Sequence, residues 1–376
     1  MCSMGDIDFG REWWTLVTGP RTMTDDLVAA LCEQKNVVLA LPTELPFKEE
    51  MRAAMWRAID GEEELSLATL LPVRADSLLT DPFDFGHELL EQFAPSEIAK
   101  TYRPDRGTVW EYIKANRVLP KSIVWAEDFS GATGENVVGF CRDCCSSSLE
   151  SGLVVAEVSD ISFGLESSKG LKVLNWSDYV NVADVRAFAM LLAARLLGSM
   201  VPDGERLYAA TLSFKVCRND VESAVGLMSV LRDHDYDVRA ALEDLHMGGG
   251  LVGEHGLSAL VGEGKWDEIE RRVWEAQVEV LFPKVERRRI DIISRLEAPL
   301  RSVLDSEEGV VQYDERIVDL NDVELGTLVY LVASRRLDVG DSGLRDEIHF
   351  LRDVRNSMAH VDLLEWPKVR RVLELS

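Results

Sequence analysis

Three things are scarce in this chain, and each scarcity removes a class of function. Long apolar runs are missing: no stretch approaches the roughly 20 uninterrupted apolar residues that a membrane span needs. The opening residues, Met1-Cys2-Ser3-Met4-Gly5-Asp6, also lack the basic region and apolar run of an export signal. A cytoplasmic protein with no membrane association is expected. Metal-ligand pairs are scarce too. Cys141, Cys144 and Cys145 form a C-x-x-C-C cluster, but no second Cys/His pair of matching spacing completes the four ligands of a structural zinc site. Free, partly buried thiols are the expectation there, and no metal or cofactor. His87, His234, His246, His255 and His349 form no ligand-like spacing either.

Positive charge is the third scarcity. The formal net charge is −25, with 18 basic and 24 acidic residues from Lys265 onward and 23 basic and 42 acidic residues before it. Nucleic-acid phosphate needs local positive charge, so the front of the chain is a poor general binder of RNA or DNA. Any such contact falls to the less acidic C-terminal part.

What is present is ample for folding. An apolar fraction of 46% over 376 residues predicts two or three globular domains rather than disorder. Over the first two hundred residues, strand-like apolar runs alternate with amphipathic helices. Strands are predicted at 13–17, 37–41, 123–126, 153–158 and 171–174, and helices at 24–34, 48–59 and 184–197. In the second of these helices Met51, Met55 and Ile59 recur at four-residue intervals. Strands spaced by helices imply an α/β layer with a mostly parallel sheet.

From Asp220 the strands largely stop. Helices are expected at 221–231 and 238–245, followed by a loose connector rich in glycine (Gly248, Gly249, Gly250, Gly253, Gly256, Gly262, Gly264). A long helix begins at Trp266, with Ile269, Val273, Ala276, Val280 and Leu281 on one face and Pro283 within it. Asn321 is expected to cap a further helix, with Glu324 completing a capping box. Helices at 344–359 and 366–375 complete an all-α bundle. The expected domains are therefore 1–219, a helical and Gly-rich connector at 220–264, and 265–376.

In the front domain, the expected strand 13–17 is followed by the turn Thr18-Gly19-Pro20-Arg21-Thr22-Met23-Thr24, where a phosphate-binding loop would sit. A working loop needs glycines whose backbone N–H groups wrap phosphate, and a Lys-Ser/Thr pair for phosphate and magnesium. Here there is one glycine and no lysine, and Pro20 removes a donor. Arg21 is the one candidate substitute for the lysine, although an arginine in a surface turn is the simpler account. The strand at 123–126 ends in Glu127-Asp128, acids of the kind that hold magnesium in an NTPase. The layout over about 8–220 resembles the ATPase core of STAND-type signalling proteins, in the degenerate form found in some bacterial defence proteins. The resemblance implies a P-loop-NTPase-like sheet that senses without hydrolysing nucleotide.

Near the C-terminus stands Arg355-Asn356-Ser357-Met358-Ala359-His360, which resembles the R-N-x-x-x-H signature of HEPN domains. The helical surroundings over about 266–375 agree with it. The resemblance implies a metal-independent endoribonuclease in which His360 exchanges protons with the RNA 2′-hydroxyl or the leaving 5′-oxygen. Arg355 would neutralise charge on the scissile phosphate, and Asn356 would orient the histidine or a phosphate oxygen. Asn356 and His360 are four residues apart, hence on one helix face. Acid and base must act on opposite sides of phosphorus, and HEPN domains dimerise, so the resemblance also implies a homodimer that pairs two motifs. Glu286-Arg287-Arg288-Arg289 and Arg295 form the strongest basic cluster, a candidate guide for RNA backbone or a solvated helix face.

Together these features predict a bacterial defence or stress effector that cuts RNA, with other defence-system proteins as conceivable partners. Two alternatives stay open: a non-enzymatic scaffold whose helical bundle dimerises, and a nucleotide-binding switch.

Overall fold

The computed structural model describes residues 7–77, 82–144, 148–251, 256–312 and 315–375. Cys145, Gly253, His255 and Met1–Asp6 of the sequence expectations lie outside the described residues. The chain divides into two compact units, Met1–Asp184 and Val185–Ser376. The first is an α/β unit built on a parallel sheet; the second is mostly helical. The division falls inside a helix and well before the expected boundary at 219/220.

The first unit opens with two consecutive helices. In α1 (Phe9–Leu16), the Asp8 carboxylate accepts the Arg11 N–H at 2.8 Å and caps the N-terminus. Trp13–Val17 was expected to be a strand, and this is a correction. Gly10, Trp13 and Trp14 are buried from one helix, with buried Val17 just beyond it. A short aromatic and β-branched run satisfies either period, and the Asp8 cap decides for the helix. After Val17, α2 (Thr18–Cys32) begins at once. The expected turn at 18–24 is therefore the first turns of α2, and Pro20 is tolerated because its missing N–H would have had no intrahelical partner.

Five strands follow: β1 (Asn36–Ala40), β2 (Thr69–Arg74), β3 (Ser122–Ser130), β4 (Leu153–Ser159) and β5 (Leu171–Asn175). They pair in the order β2-β3-β4-β1-β5, and every pairing is parallel. β2 was not expected from sequence because Pro72 breaks its pattern; it lies at the sheet edge, where proline is admissible. The inner strands β1, β3 and β4 are buried along most of their length, as a sheet covered on both faces requires.

Val38, Val124, Ala126, Val154 and Ala156 form one core with residues of α4 (Phe85–Phe93), α6 (Val109–Ala115) and α7 (Gly131–Asp143); the short α5 (Ser96–Ala99) lies between α4 and α6 in sequence. Their neighbours along each strand point to the other face. There α2 packs on β1 and β5, and on both α1 and α3 (Lys48–Asp60). Two short features end the unit: α8 (Trp176–Tyr179) and the start of α9 (Val182–Leu197).

In the second unit α10 (Asp203–Cys217), α11 (Val221–Val230), α12 (Val238–Met247) and α13 (Gly256–Gly262) form a chain of packed neighbours. The 30-residue α14 (Trp266–Arg295) is the central helix, touching α10, α13, α15 (Glu297–Leu304), α17 (Ser342–Ala359) and α18 (Trp366–Leu373). Its buried face holds Ile269, Val273, Ala276, Val280 and Leu281, the stripe expected from sequence. A small antiparallel pair, β6 (Val311–Gln312) and β7 (Glu315–Arg316), precedes α16 (Leu325–Ala333), which packs on α17.

The expected Asn321 cap is corrected as well. Asn321 sits in a 3-10 turn, Leu320–Asp322, where Asp319 accepts its N–H at 2.9 Å, and Glu324 is the residue that immediately precedes α16. Asp319 claims that donor two residues away, and the helix starts later. Among the described residues no helix is long and apolar enough to cross a membrane.

Candidate functional site

The C-terminal motif lies at the end of α17, a helix started firmly by Asp341, whose carboxylate accepts the N–H groups of Gly343 and Leu344. Leu344, Ile348, Leu351, Val354 and Met358 bury its inner face. The far end is pinned from α14. The Trp274 indole N–H donates to the Met358 carbonyl at 2.8 Å, a carbonyl of the last turn that otherwise accepts only the Val361 N–H at 3.4 Å among the described residues. One turn on, the buried Gln277 amide donates to the Leu364 carbonyl and accepts the Leu364 N–H, both at 2.8 Å. His360 is therefore set between two fixed points. Trp274 and Gln277 were not singled out from sequence; their i, i+3 spacing on the buried edge of α14 was the available signal.

Asn356 and His360 stand on successive turns, exposed, with no hydrogen-bond partner for either side chain among the described residues. Arg355 points elsewhere. It lines a concavity of about 490 Å³ with Glu286, Arg289, Glu315, Arg316 and Glu324, among others. Among the described residues its one ion-pair contact is with Glu324 at 4.0 Å, with the two side chains 40% and 43% exposed. Exposed pairs of that kind contribute about 0–1 kcal/mol, so Arg355 is held only loosely. On an α-helix Arg355 lies about 140° round from His360. Within one copy the structure brings Asn356 and His360 together, and leaves Arg355 on the flank.

The basic residues proposed from sequence are mostly committed to internal partners. Arg288 makes a two-pronged pair with Glu347 at 2.7 and 3.0 Å. Arg289 bonds Glu286 and donates to the carbonyls of Asn321 and Val323. Arg295 pairs with Asp341 at 3.2 Å, while Arg287 is exposed and without an ion-pair partner among the described residues. Glu347 lies 13 residues before His360, so Arg288 sits about 20 Å back along α17, while Arg289 reaches the concavity beside Arg355.

In the first unit, the segment 18–24, read from sequence as the place of a degenerate phosphate loop, is helix, and an N–H at its start already has a partner. The Gly19 N–H donates to the buried Asp184 carboxylate at 3.0 Å, and Asp184 also accepts the Asn181 N–H. A carboxylate thus takes the place of an anion at this helix start. A Cβ on Gly19 would come within 2.5 Å of the Tyr179 carbonyl oxygen, so glycine is needed for close approach, not for phosphate. Arg21 is exposed and, among the described residues, pairs only with Asp25.

The ionisable residues of this unit converge at another place. β1 lies between β4 and β5, and the connections leaving β1 and β4 run in opposite senses along the sheet, which makes the crevice at their carboxyl ends its switch point. Arg52, from α3, lies there with its side chain 5% exposed. Its guanidinium makes a two-pronged pair with Glu157 at 2.8 and 2.6 Å, reaches Asp128 at 2.9 Å and Glu49 at 2.8 Å, and has Glu127 at 3.6 Å. The Trp125 indole N–H donates to Glu157 at 2.7 Å, and Lys48 pairs with Asp128.

Burial pushes the Glu127 carboxyl above its usual range, against the pull of Arg52. Burial also opposes the charge on Asp128, but its bonds to Lys48 and Arg52 win and hold it below that range. The backbone is bent to make this arrangement. The β3–β4 register shifts between Ala126 and Phe129, with Asp128 at φ 65°, and Phe47, just before Lys48, has φ 52°. The Trp14 indole holds the Phe47 carbonyl at 3.0 Å. Of this cluster only Glu127 and Asp128 were singled out from sequence. Lys48 follows the loop after β1, which was the signal for looking there.

Cys141 and Cys144 are buried, and burial pushes the Cys141 thiol up to about 12. Among the described residues no group of three or more His, Cys, Asp or Glu side chains is placed to hold a metal ion. No family model matches the chain, and no curated protein is measurably similar to it.

Proposed function

We propose that the protein is a metal-independent RNA-cleaving effector. Its helical unit would be HEPN-like and active as a homodimer, and its front unit a degenerate, STAND-like domain that does not hydrolyse nucleotide. The observation that carries this reading is the pair Asn356 and His360, exposed, without side-chain partners among the described residues and one turn apart on the end of a helix clamped by Trp274 and Gln277. A structural histidine would be expected to use its ring nitrogens; this one leaves both open to a ligand.

The chemistry runs as follows. The RNA 2′-oxygen attacks phosphorus as its proton passes to one His360, the P–O5′ bond breaks, and the 5′-oxygen takes a proton from the other copy's His360. The products are a 2′,3′-cyclic phosphate and a 5′-hydroxyl. Arg355 of either copy neutralises the charge that builds on the phosphate oxygens. The divergence of Arg355 from His360 within one copy fits a site completed by the second copy. A role in defence or growth arrest rests on the resemblance alone.

Non-hydrolysis by the front unit is supported by the Arg52 cluster. Two cations, Lys48 and Arg52, face four carboxylates, and a nucleotide phosphate entering this crevice would meet excess negative charge and would have to break buried ion pairs. The test is incubation of the purified full chain with total RNA in the presence of a chelator. Cleavage that His360→Ala and Arg355→Ala both abolish is expected.

A second reading, a non-enzymatic dimerising scaffold, is favoured by one observation: the concavity beside Arg355 is lined by four acids, Glu286, Glu315, Asp322 and Glu324, against Arg289 and Arg316, a poor setting for phosphate. Intact RNA with a stable dimer would select it.

A further inference from the structure

Beyond the two residues of the motif, α17 carries a longer pattern on the same face. Arg345, His349, Arg352, Asn356 and His360 recur at intervals of four, three, four and four residues. On a helix they fall within about 80° of arc, on a line about 22 Å long. Arg345, Asn356 and His360 are exposed, and His349 and Arg352 are half-buried. At the start of the line lies a concavity of about 520 Å³ lined by Arg335, Arg345 and His349, with Asp338 its one acid. Arg335 is exposed at the end of α16, and neither it nor Arg345 has an ion-pair partner among the described residues. Arg352 is the committed member, bonded to Asp353.

We propose that this stripe, from the Arg335–Arg345 concavity to His360, is the track along which single-stranded RNA backbone reaches the cleaving site. The inference rests on the RNA-cleaving reading given above and names the surface that would serve it. It replaces the Arg287–Arg295 cluster, three of whose four arginines are held by carboxylates. The chain's net charge of −25 does not exclude the track. At physiological salt a charge is screened within about 8 Å, so a phosphate on the stripe responds to Arg335, Arg345 and the nearby Asp338, Asp346 and Asp353 rather than to the acidic remainder.

The test uses the full chain carrying His360→Ala, so that RNA stays intact, and a labelled single-stranded oligouridylate titrated across a range of sodium chloride. Adding Arg335→Ala and Arg345→Ala is expected to weaken binding about tenfold at low salt. It should also flatten the slope of log Kd against log salt by about 1.4, at about 0.7 per phosphate contact on a single strand. Adding Arg287→Ala and Arg295→Ala instead should change neither. Loss of binding on the second pair but not the first overturns the track, as does equal affinity for a polyglutamate peptide, which would mark a site for acidic protein. If the unsubstituted chain cleaves RNA while the first pair leaves both Kd and KM unchanged, the track alone fails. If the unsubstituted chain neither binds nor cleaves RNA, the cleaving reading fails and the track with it.

Discussion

The chain carries two arginines in conspicuous settings, and they are opposites. Arg52 is buried in the α/β unit, its guanidinium shared among Glu157, Asp128, Glu49 and Glu127, on a backbone bent to receive it. Arg355 in the helical unit is half exposed, with one carboxylate at the limit of contact. A buried guanidinium with four hydrogen bonds to carboxylates has little left to offer a ligand, whereas a loosely held one is available at little cost. The contrast fits a structural role for the first site and, on the function proposed above, a chemical role for the second.

The sharpest way to break the comparison is at the chemical end. His360→Ala should lower RNA cleavage by about 10²- to 10⁴-fold, as loss of a positioned acid–base group does, with the melting temperature unchanged. Next, Arg52→Ala strips the partner from several buried carboxylates and should cost about 3–5 kcal/mol, read as a lower denaturant midpoint for the α/β unit. Arg355→Ala should alter stability by about 1 kcal/mol or less while abolishing cleavage. Comparable destabilisation by the two arginine variants would erase the distinction.

Gln277→Ala leaves the Leu364 backbone groups unpaired and should cost about 1–3 kcal/mol. It should also slow cleavage, because the segment following His360 loses an anchor; unchanged kcat with lowered stability would make the clamp purely structural. The smallest effect belongs to Glu324→Gln. Stability should change by less than about 1 kcal/mol, and cleavage should hold or rise as a carboxylate beside Arg355 loses its charge. A fall in cleavage would mean that Glu324 positions the arginine.

Most of the sheet was legible in the sequence because its inner strands are buried on both faces and read as continuous apolar runs. What was not legible had specific causes. Pro72 hides β2, which is tolerated only because it lies at the edge. Trp13-Trp14-Thr15-Leu16-Val17 fits a strand by composition, and only the Asp8 cap marks the helix. That error placed the degenerate phosphate-loop position at 18–24, which is helix. The actual crevice follows β1, and its members, Lys48, Arg52, Glu127, Asp128 and Glu157, are scattered over 110 residues and joined only by the parallel pairing of β1, β3 and β4. In the helical unit the motif was visible as a local spacing. The stripe above it was equally local, yet the run Glu286-Arg287-Arg288-Arg289 drew attention first because adjacent charges are easier to see than charges seven residues apart.

On the function proposed above, His360 acts as half of a paired site. Wild-type chain and His360→Ala chain, mixed in equal amounts and allowed to exchange subunits, separate a paired site from an independent one. If both histidines are required, mixed dimers are inactive, and cleavage in the presence of a chelator falls to about one quarter of the wild-type value at equal mixing. Cleavage at about one half, in proportion to the wild-type share, would contradict the account.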